Sequence, residues 1–71
     1  MAVFTALIEL DPASELYVAI VPGVPGAHTQ AATLDELQRN LREVLELCLE
    51  ANEELRREQP KFIGLQQIEI A

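Results

Sequence analysis

From Val3 to Leu10 the chain alternates in the manner of a half-buried strand. Phe4, Ala6, Ile8 and Leu10 fall on one side of an extended backbone, and Val3, Thr5, Leu7 and Glu9 fall on the other. The segment Asp11-Pro12-Ala13-Ser14-Glu15 reads as a turn, because Asp11 can bond back to its own backbone and Pro12 sets a turn φ. Leu16 to Val21, enriched in Tyr, Val and Ile, predicts a second strand, and the short connection predicts an antiparallel hairpin. Both faces of these strands are substantially apolar. One helix covers only one face of a sheet, so the other is expected to meet a second subunit.

Two Pro-Gly pairs follow, in Pro22-Gly23-Val24-Pro25-Gly26. Such a run is a phosphate-binding loop, a ligand clamp or a stiff connection between strands. A P-loop ends in Gly-Lys-Ser/Thr, and a dinucleotide fingerprint places its glycines at a strand-to-helix turn; neither pattern is present. Pro22 and Pro25 also lack the N–H groups that an anion nest uses. The segment is therefore expected to be a rigid connector, with Gly23 and Gly26 taking φ values closed to other residues. Ala27-His28-Thr29-Gln30 then predicts a short third strand.

The period next changes from two to 3.6. Thr33 followed by Glu36 has the form of a capping box, with Thr33 as N-cap and Glu36 returning a hydrogen bond. Asp35 and Glu36 also complement the positive end of a helix. Leu37, Leu41, Val44, Cys48, Ala51 and Leu55 recur at spacings of four and three, and Leu34, Leu45 and Leu49 widen the stripe. The spacing predicts one helix from Leu34 to about Arg57, ended by Pro60. Phe62 to Ile70 reads as a final strand, with Ile68 and Ile70 alternating with Glu69 and a bend at Gly64. The expected fold is α+β in the order β-β-β-α-β, a three-stranded antiparallel sheet packed on one long helix with an additional C-terminal strand.

The chain has 71 residues, enough for one domain with a marginal core. Its one cysteine, Cys48, excludes an internal disulfide, and no Cys/His cluster offers a structural zinc. With 49% hydrophobic residues, self-association is the expected supplement to so small a core. Twelve acidic side chains against five basic ones give a net charge of -7, which repels phosphates and disfavours direct nucleic-acid binding. On the helix, Glu43, Glu46, Glu50, Glu53 and Glu54 form the polar face. Arg39–Glu43, Arg42–Glu46 and Glu53–Arg57 stand at pairing distance along it, while Glu46–Glu50 and Glu50–Glu54 repel. No basic-then-apolar leader or long apolar run is present, so the cytoplasm is the expected location.

The inventory for catalysis is thin. His28 is the single histidine and has no partner at a diagnostic spacing, so it is expected to be structural or exposed. Cys48 lies mid-helix among acids, where a thiol behaves as a small hydrophobe rather than a nucleophile. Glu9, Asp11 and Glu15 near the hairpin do not match a calcium loop, and Tyr17 is expected to pack with its strand neighbours. No catalytic, cofactor-binding or metal-binding residue is expected, and no cofactor.

From Leu16 to Glu50 the order of these pieces resembles the HicB-like antitoxin family in its short, single-domain form. The stretch "LYVAIVPGVPG" is similar to that family's aromatic-Val-Ala strand and Pro-x-x-Pro-Gly loop. "TQAATLDELQRNLREVLELCLE" is similar to its polar strand end and Thr-Leu-acidic-Glu helix start, and "FTALIELD" fits its first strand. The resemblance implies an incomplete RNase H-like fold without nuclease activity, in which a further strand follows the helix. It also implies dimers or tetramers, and a small basic mRNA-cleaving toxin as the protein partner. Residues 1–71 are expected to form a single such domain with no C-terminal DNA-binding domain. Glu46, Glu50 and Glu53 are then the candidate partner-binding residues. The alternative expectation is a stand-alone structural homo-oligomer with no toxin partner.

Overall fold

In the computed structural model, residues 2–57 and 59–71 are described. Strand β1 (Leu7–Leu10) pairs antiparallel with β2 (Tyr17–Ile20), from Leu7 opposite Ile20 to Leu10 opposite Tyr17. Strand β3 (His28–Ala31) pairs antiparallel with the other edge of β2, from Ile20 opposite His28 to Tyr17 opposite Ala31. The sheet order is β1-β2-β3. Strand β1 is shorter than the alternation from Val3 predicts. Beyond Ile20 the Val21 N–H faces the β3 side, where it donates to Ala27 O at 2.9 Å, and the next residue, Pro22, has no N–H to offer toward β1, so β2 gives no ladder to residues before Leu7.

The hairpin between β1 and β2 is closed by Asp11 N–H to Leu16 O and Glu15 N–H to Asp11 O, both at 2.8 Å. The Asp11 carboxylate accepts from Ser14 Oγ at 2.6 Å and from Ser14 N–H at 2.9 Å. These two bonds, the hydroxyl's first, hold the Asp11 carboxyl below its ordinary range. Glu15 takes φ 61, a left-handed conformation that its neighbours' bonds enforce without a glycine.

The register places Ile8, Leu10, Tyr17, Ala19, Thr29 and Ala31 on one side of the sheet. Helix α1 (Leu34–Ala51) lies on that side over β3 and β2 and leaves β1 uncovered. The alanines admit it closely: Ala19, Ala31 and Leu37 are buried together, with Tyr17 and Leu41 against them. A second buried cluster, Val21, Val24 and Ala27, meets Phe4, Ala6, Leu41, Val44, Leu45, Cys48 and Leu55. The helical stripe expected from the sequence therefore faces the sheet, except that Leu34 and Ala51 at its two ends are exposed.

Thr33 caps the helix as expected, its Oγ1 accepting from Glu36 N–H at 3.2 Å. The reciprocal half of the capping box, from Thr33 N–H to the Glu36 carboxylate, does not form among the described residues. One cap bond is thus in place, and Thr33→Ala is expected to cost about 1 kcal/mol. A thermal melt followed by circular dichroism should show this as a drop of about 4–8 °C in a domain of this size.

The helix is shorter than the spacing predicts. It ends at Ala51, and Asn52 turns extended, donating its N–H to Cys48 O at 3.0 Å. The Asn52 Oδ1 accepts from Glu54 N–H at 3.1 Å and starts a separate 3-10 turn over Glu53–Arg56. Two causes act together. Asparagine competes for backbone donors, and the last helical turn holds no basic residue while Glu50, Glu53 and Glu54 crowd its negative end. The break redirects the chain so that Leu55 reaches the second buried cluster.

The expected strand over Phe62 to Ile70 does not form in the isolated chain. Residues 59–71 contain neither helix nor strand, and residues 60–71 are exposed throughout. The Cα radius of gyration is 13.5 Å, against about 11 Å for a compact domain of this length. A strand needs a ladder partner, and no free edge of this sheet is engaged by the segment.

Candidate protein-interaction surfaces

The Pro-Gly segment is a pair of consecutive turns. Val24 N–H donates to Val21 O at 3.2 Å, enclosing Pro22 and Gly23; Ala27 N–H donates to Val24 O at 3.0 Å, enclosing Pro25 and Gly26. Gly23 has φ 87 and Gly26 has φ 85. Proline followed by a positive-φ glycine at the two central positions is the signature of a type II turn. The three residues between and around the prolines and glycines, Val21, Val24 and Ala27, point inward and are buried. The connector expected from the sequence thus also supplies core.

The segment is held from outside as well. A Cβ on Gly23 would lie 2.5 Å from Pro60 Cδ and 2.9 Å from Pro60 Cγ, so the proline ring sits directly on this glycine. Gln59 Nε2 donates to Leu55 O, which fixes the chain as it leaves the 3-10 turn. Cys48 is half-buried, and its thiol reaches toward Pro25 O at 3.8 Å. Its position in the apolar stripe matches the reading of a small packing residue.

On the outward face of α1, Glu43, Glu46 and Glu50 are exposed, and Glu53 is exposed on the 3-10 turn that follows. The three pairs expected along a continuous helix do not form. The one ion pair among the described residues joins Arg56 Nε to Glu53 Oε1 at 3.9 Å. It forms because a 3-10 turn brings residues three apart into line, and an exposed pair of this length contributes little to stability. Glu46 and Glu50 therefore stand one helical turn apart, neither in an ion pair among the described residues. A shallow groove runs from Glu46 back toward the helix start, lined also by Asp35, Gln38, Arg39, Arg42 and Glu43. Leu47, a residue the periodicity does not single out, is 65% exposed on the flank it shares with Glu43 and Glu50. Its signal in the sequence is a leucine outside the stripe, bordered by acids at minus four and plus three.

On the sheet side away from the helix, Leu7, Glu9, Val18, Ile20, His28 and Gln30 line a shallow depression of about 630 Å³. On β1 and β2 three of the four outward side chains, Leu7, Val18 and Ile20, are apolar, as expected of the hairpin; β3 adds the polar His28 and Gln30 to this side. His28 is exposed at the start of β3. A third surface lies between the segments flanking the fold: Val3, Thr5–Leu7 and Pro22 line a cleft of about 430 Å³ with Gln59–Leu65. Among the described residues no group of three His, Cys, Asp or Glu side chains is placed to hold a metal ion. No helix among them is long and apolar enough to cross a membrane.

The chain is 49% identical over 69 residues to a UPF0150 protein of Thermotoga maritima, covering 96% of this chain and 89% of that protein. It is 43% identical over 67 residues to a UPF0150 protein of Archaeoglobus fulgidus, covering 94% of this chain and 93% of the relative. A UPF0150 protein of Synechocystis is 40% identical over 67 residues, with 94% and 93% covered. No protein-family model matches the chain, and no solved structure matches it.

Proposed function

This chain belongs to the UPF0150 family, and from that premise we propose that it is a non-catalytic, antitoxin-like binding module of the cytoplasm. It covers and neutralises a small basic mRNA-cleaving protein. The observation that carries this reading is the outward side of α1. There Glu46 and Glu50 are exposed and in no ion pair among the described residues, Glu53 follows them, and Leu47 offers an apolar anchor among them. An acidic field around an exposed leucine complements a basic partner: the charge steers the encounter and the leucine is buried on contact. The similarity of residues 16–50 to HicB-like antitoxins supports the same reading, as does the net charge of -7. In that fold a further strand follows the helix, and residues 62–70 are its counterpart here.

The adjacent reading frame supplies the test. If it encodes a small basic protein, a calorimetric titration of the two should give a complex whose affinity falls with salt. The triple variant Glu46→Gln, Glu50→Gln, Glu53→Gln should then bind roughly tenfold or more weakly, with a shallower salt dependence. An unchanged affinity and salt slope in the variant would overturn the assignment of this face.

A second reading, a structural homo-oligomer with no toxin partner, is favoured by a different observation. Phe62, Ile63, Leu65, Ile68 and Ile70 are all between 57% and 85% exposed. So contiguous an apolar segment exceeds what a monomer leaves in water. The two readings are compatible, because self-association and the acidic helix face use different surfaces.

A further inference from the structure

The accessible surface of the chain is 6068 Å². A folded monomer of 7.9 kDa is expected to expose about 4,400 Å². The excess is roughly 1,700 Å² per chain, about twice what each partner buries in a standard interface. Among the described residues, seven of the eleven exposed large apolar side chains lie in two places. One is the segment 62–70, where Ile68 is 68% and Ile70 is 82% exposed. The other is β1, which is an edge of the sheet and is not covered by α1, so that Ile8 and Leu10 on the helix side remain 49% and 57% exposed.

These two places are complementary. Strand β1 presents an unpaired backbone edge, the side of a sheet that accepts an added strand. Gln67–Ile70 alternate as a strand does, with Ile68 and Ile70 on one face and Gln67 and Glu69 on the other, and Phe62 shares the isoleucine face while Ile63 and Leu65 take the opposite one. Laid beside β1 with the isoleucines toward the helix side, they would extend the apolar row of Ile8 and Leu10. The chain's own segment is already led toward this side, since Phe62–Leu65 share a cleft with Val3 and Thr5–Leu7. It nevertheless makes no ladder there, and Pro60 against Gly23 fixes where it leaves the fold.

We propose that residues 62–70 of one copy add as a strand to the free edge of β1 in a second copy, and that the second copy returns its own segment in the same way. This rests on the homo-oligomeric reading and names the surface and the segment that build it. The exchange gives each sheet a fourth strand, removes an exposed edge, and buries the largest uncovered apolar segment of the chain.

Complementation between two defective chains tests this. Leu10→Lys places a charge beside the accepting edge, and Ile68→Glu places one in the donated segment; both positions are exposed in the single chain, so the helical circular dichroism should persist. Each variant alone should dimerise roughly 100-fold more weakly than the unaltered chain by analytical ultracentrifugation. An equimolar mixture should regain dimers, because a mixed pair keeps one unaltered exchange and places the new lysine and glutamate in the other. If the mixture stays monomeric, the segment folds onto its own β1 and the exchange is wrong. If both variants still dimerise, the copies meet elsewhere; the exchange is overturned while the homo-oligomer stands. A monomeric unaltered chain at micromolar concentration overturns both. Should Leu10→Lys not fold, Ile70→Glu in the donated segment decides alone: undiminished dimerisation by it refutes the exchange.

Discussion

Leu37→Ala is expected to remove about 2–5 kcal/mol of stability. Leu37 is 1% exposed and, among the described residues, is the single large side chain that is fully buried. Its neighbours at the sheet are Ala19 and Ala31, which have no mass to move into the space it would vacate. A whole domain of this length is stabilised by only about 4–10 kcal/mol, so the variant should be substantially unfolded at 37 °C. Urea denaturation followed by circular dichroism measures the loss directly. Leu41→Ala, at a half-buried position bridging both clusters, is the control and should lose less. A loss below about 1 kcal/mol for Leu37→Ala would mean that the helix does not seat on the sheet through this residue.

The second large effect is expected at Gly23, and it separates two glycines that look alike in the sequence. Gly23 and Gly26 both have positive φ, so alanine at either costs about 1–2 kcal/mol of backbone strain. Around Gly26 a new methyl meets nothing within 4 Å, whereas at Gly23 it meets the Pro60 ring at 2.5 Å. Crowding of this kind adds about 1–3 kcal/mol. Gly23→Ala should therefore lower the urea midpoint clearly more than Gly26→Ala does. Adding Pro60→Ala to Gly23→Ala should recover the difference, because the two residues are in contact and their effects couple. Equal losses at the two glycines would remove the contact from the account of the loop.

These two cases also show what was legible from the residues alone. The hairpin, the antiparallel order and the inward stripe of α1 follow from local periods of two and 3.6, so alternation and spacing suffice to find them. The type of both turns follows from proline and glycine in sequence. The contact between Gly23 and Pro60 spans 37 positions and leaves no local trace. The helix end departs from the expected one for a local reason instead. The apolar stripe continues through Leu55, but the side chain of Asn52 and the crowded acids stop the backbone at Ala51 while the 3-10 turn still delivers Leu55 to the core. Because the helix ends there, the expected pair Glu53–Arg57 is replaced by Glu53–Arg56. The candidate acidic residues were found because charge is a property of composition; the exposure of Leu47 beside them needed the helix to be placed against the sheet. The strand expected over Phe62 to Ile70 depends on a ladder partner, which no pattern within a segment can supply.

The paired Pro-Gly turns have a consequence for how this protein can change length. Surface connections ordinarily absorb insertions and deletions freely. Here every third residue from Val21 to Ala27 is an inward-facing core position, and each turn hands the chain to the next with the phase intact. One added or deleted residue would rotate a valine into water and a glycine or proline inward. The connection behaves as a ruler rather than a tether, and three residues are its natural increment. Freedom of length lies instead at the other hairpin, where Pro12, Ala13, Ser14 and Glu15 are all exposed. A reporter or affinity epitope grafted there leaves both buried clusters and the acidic face of α1 untouched.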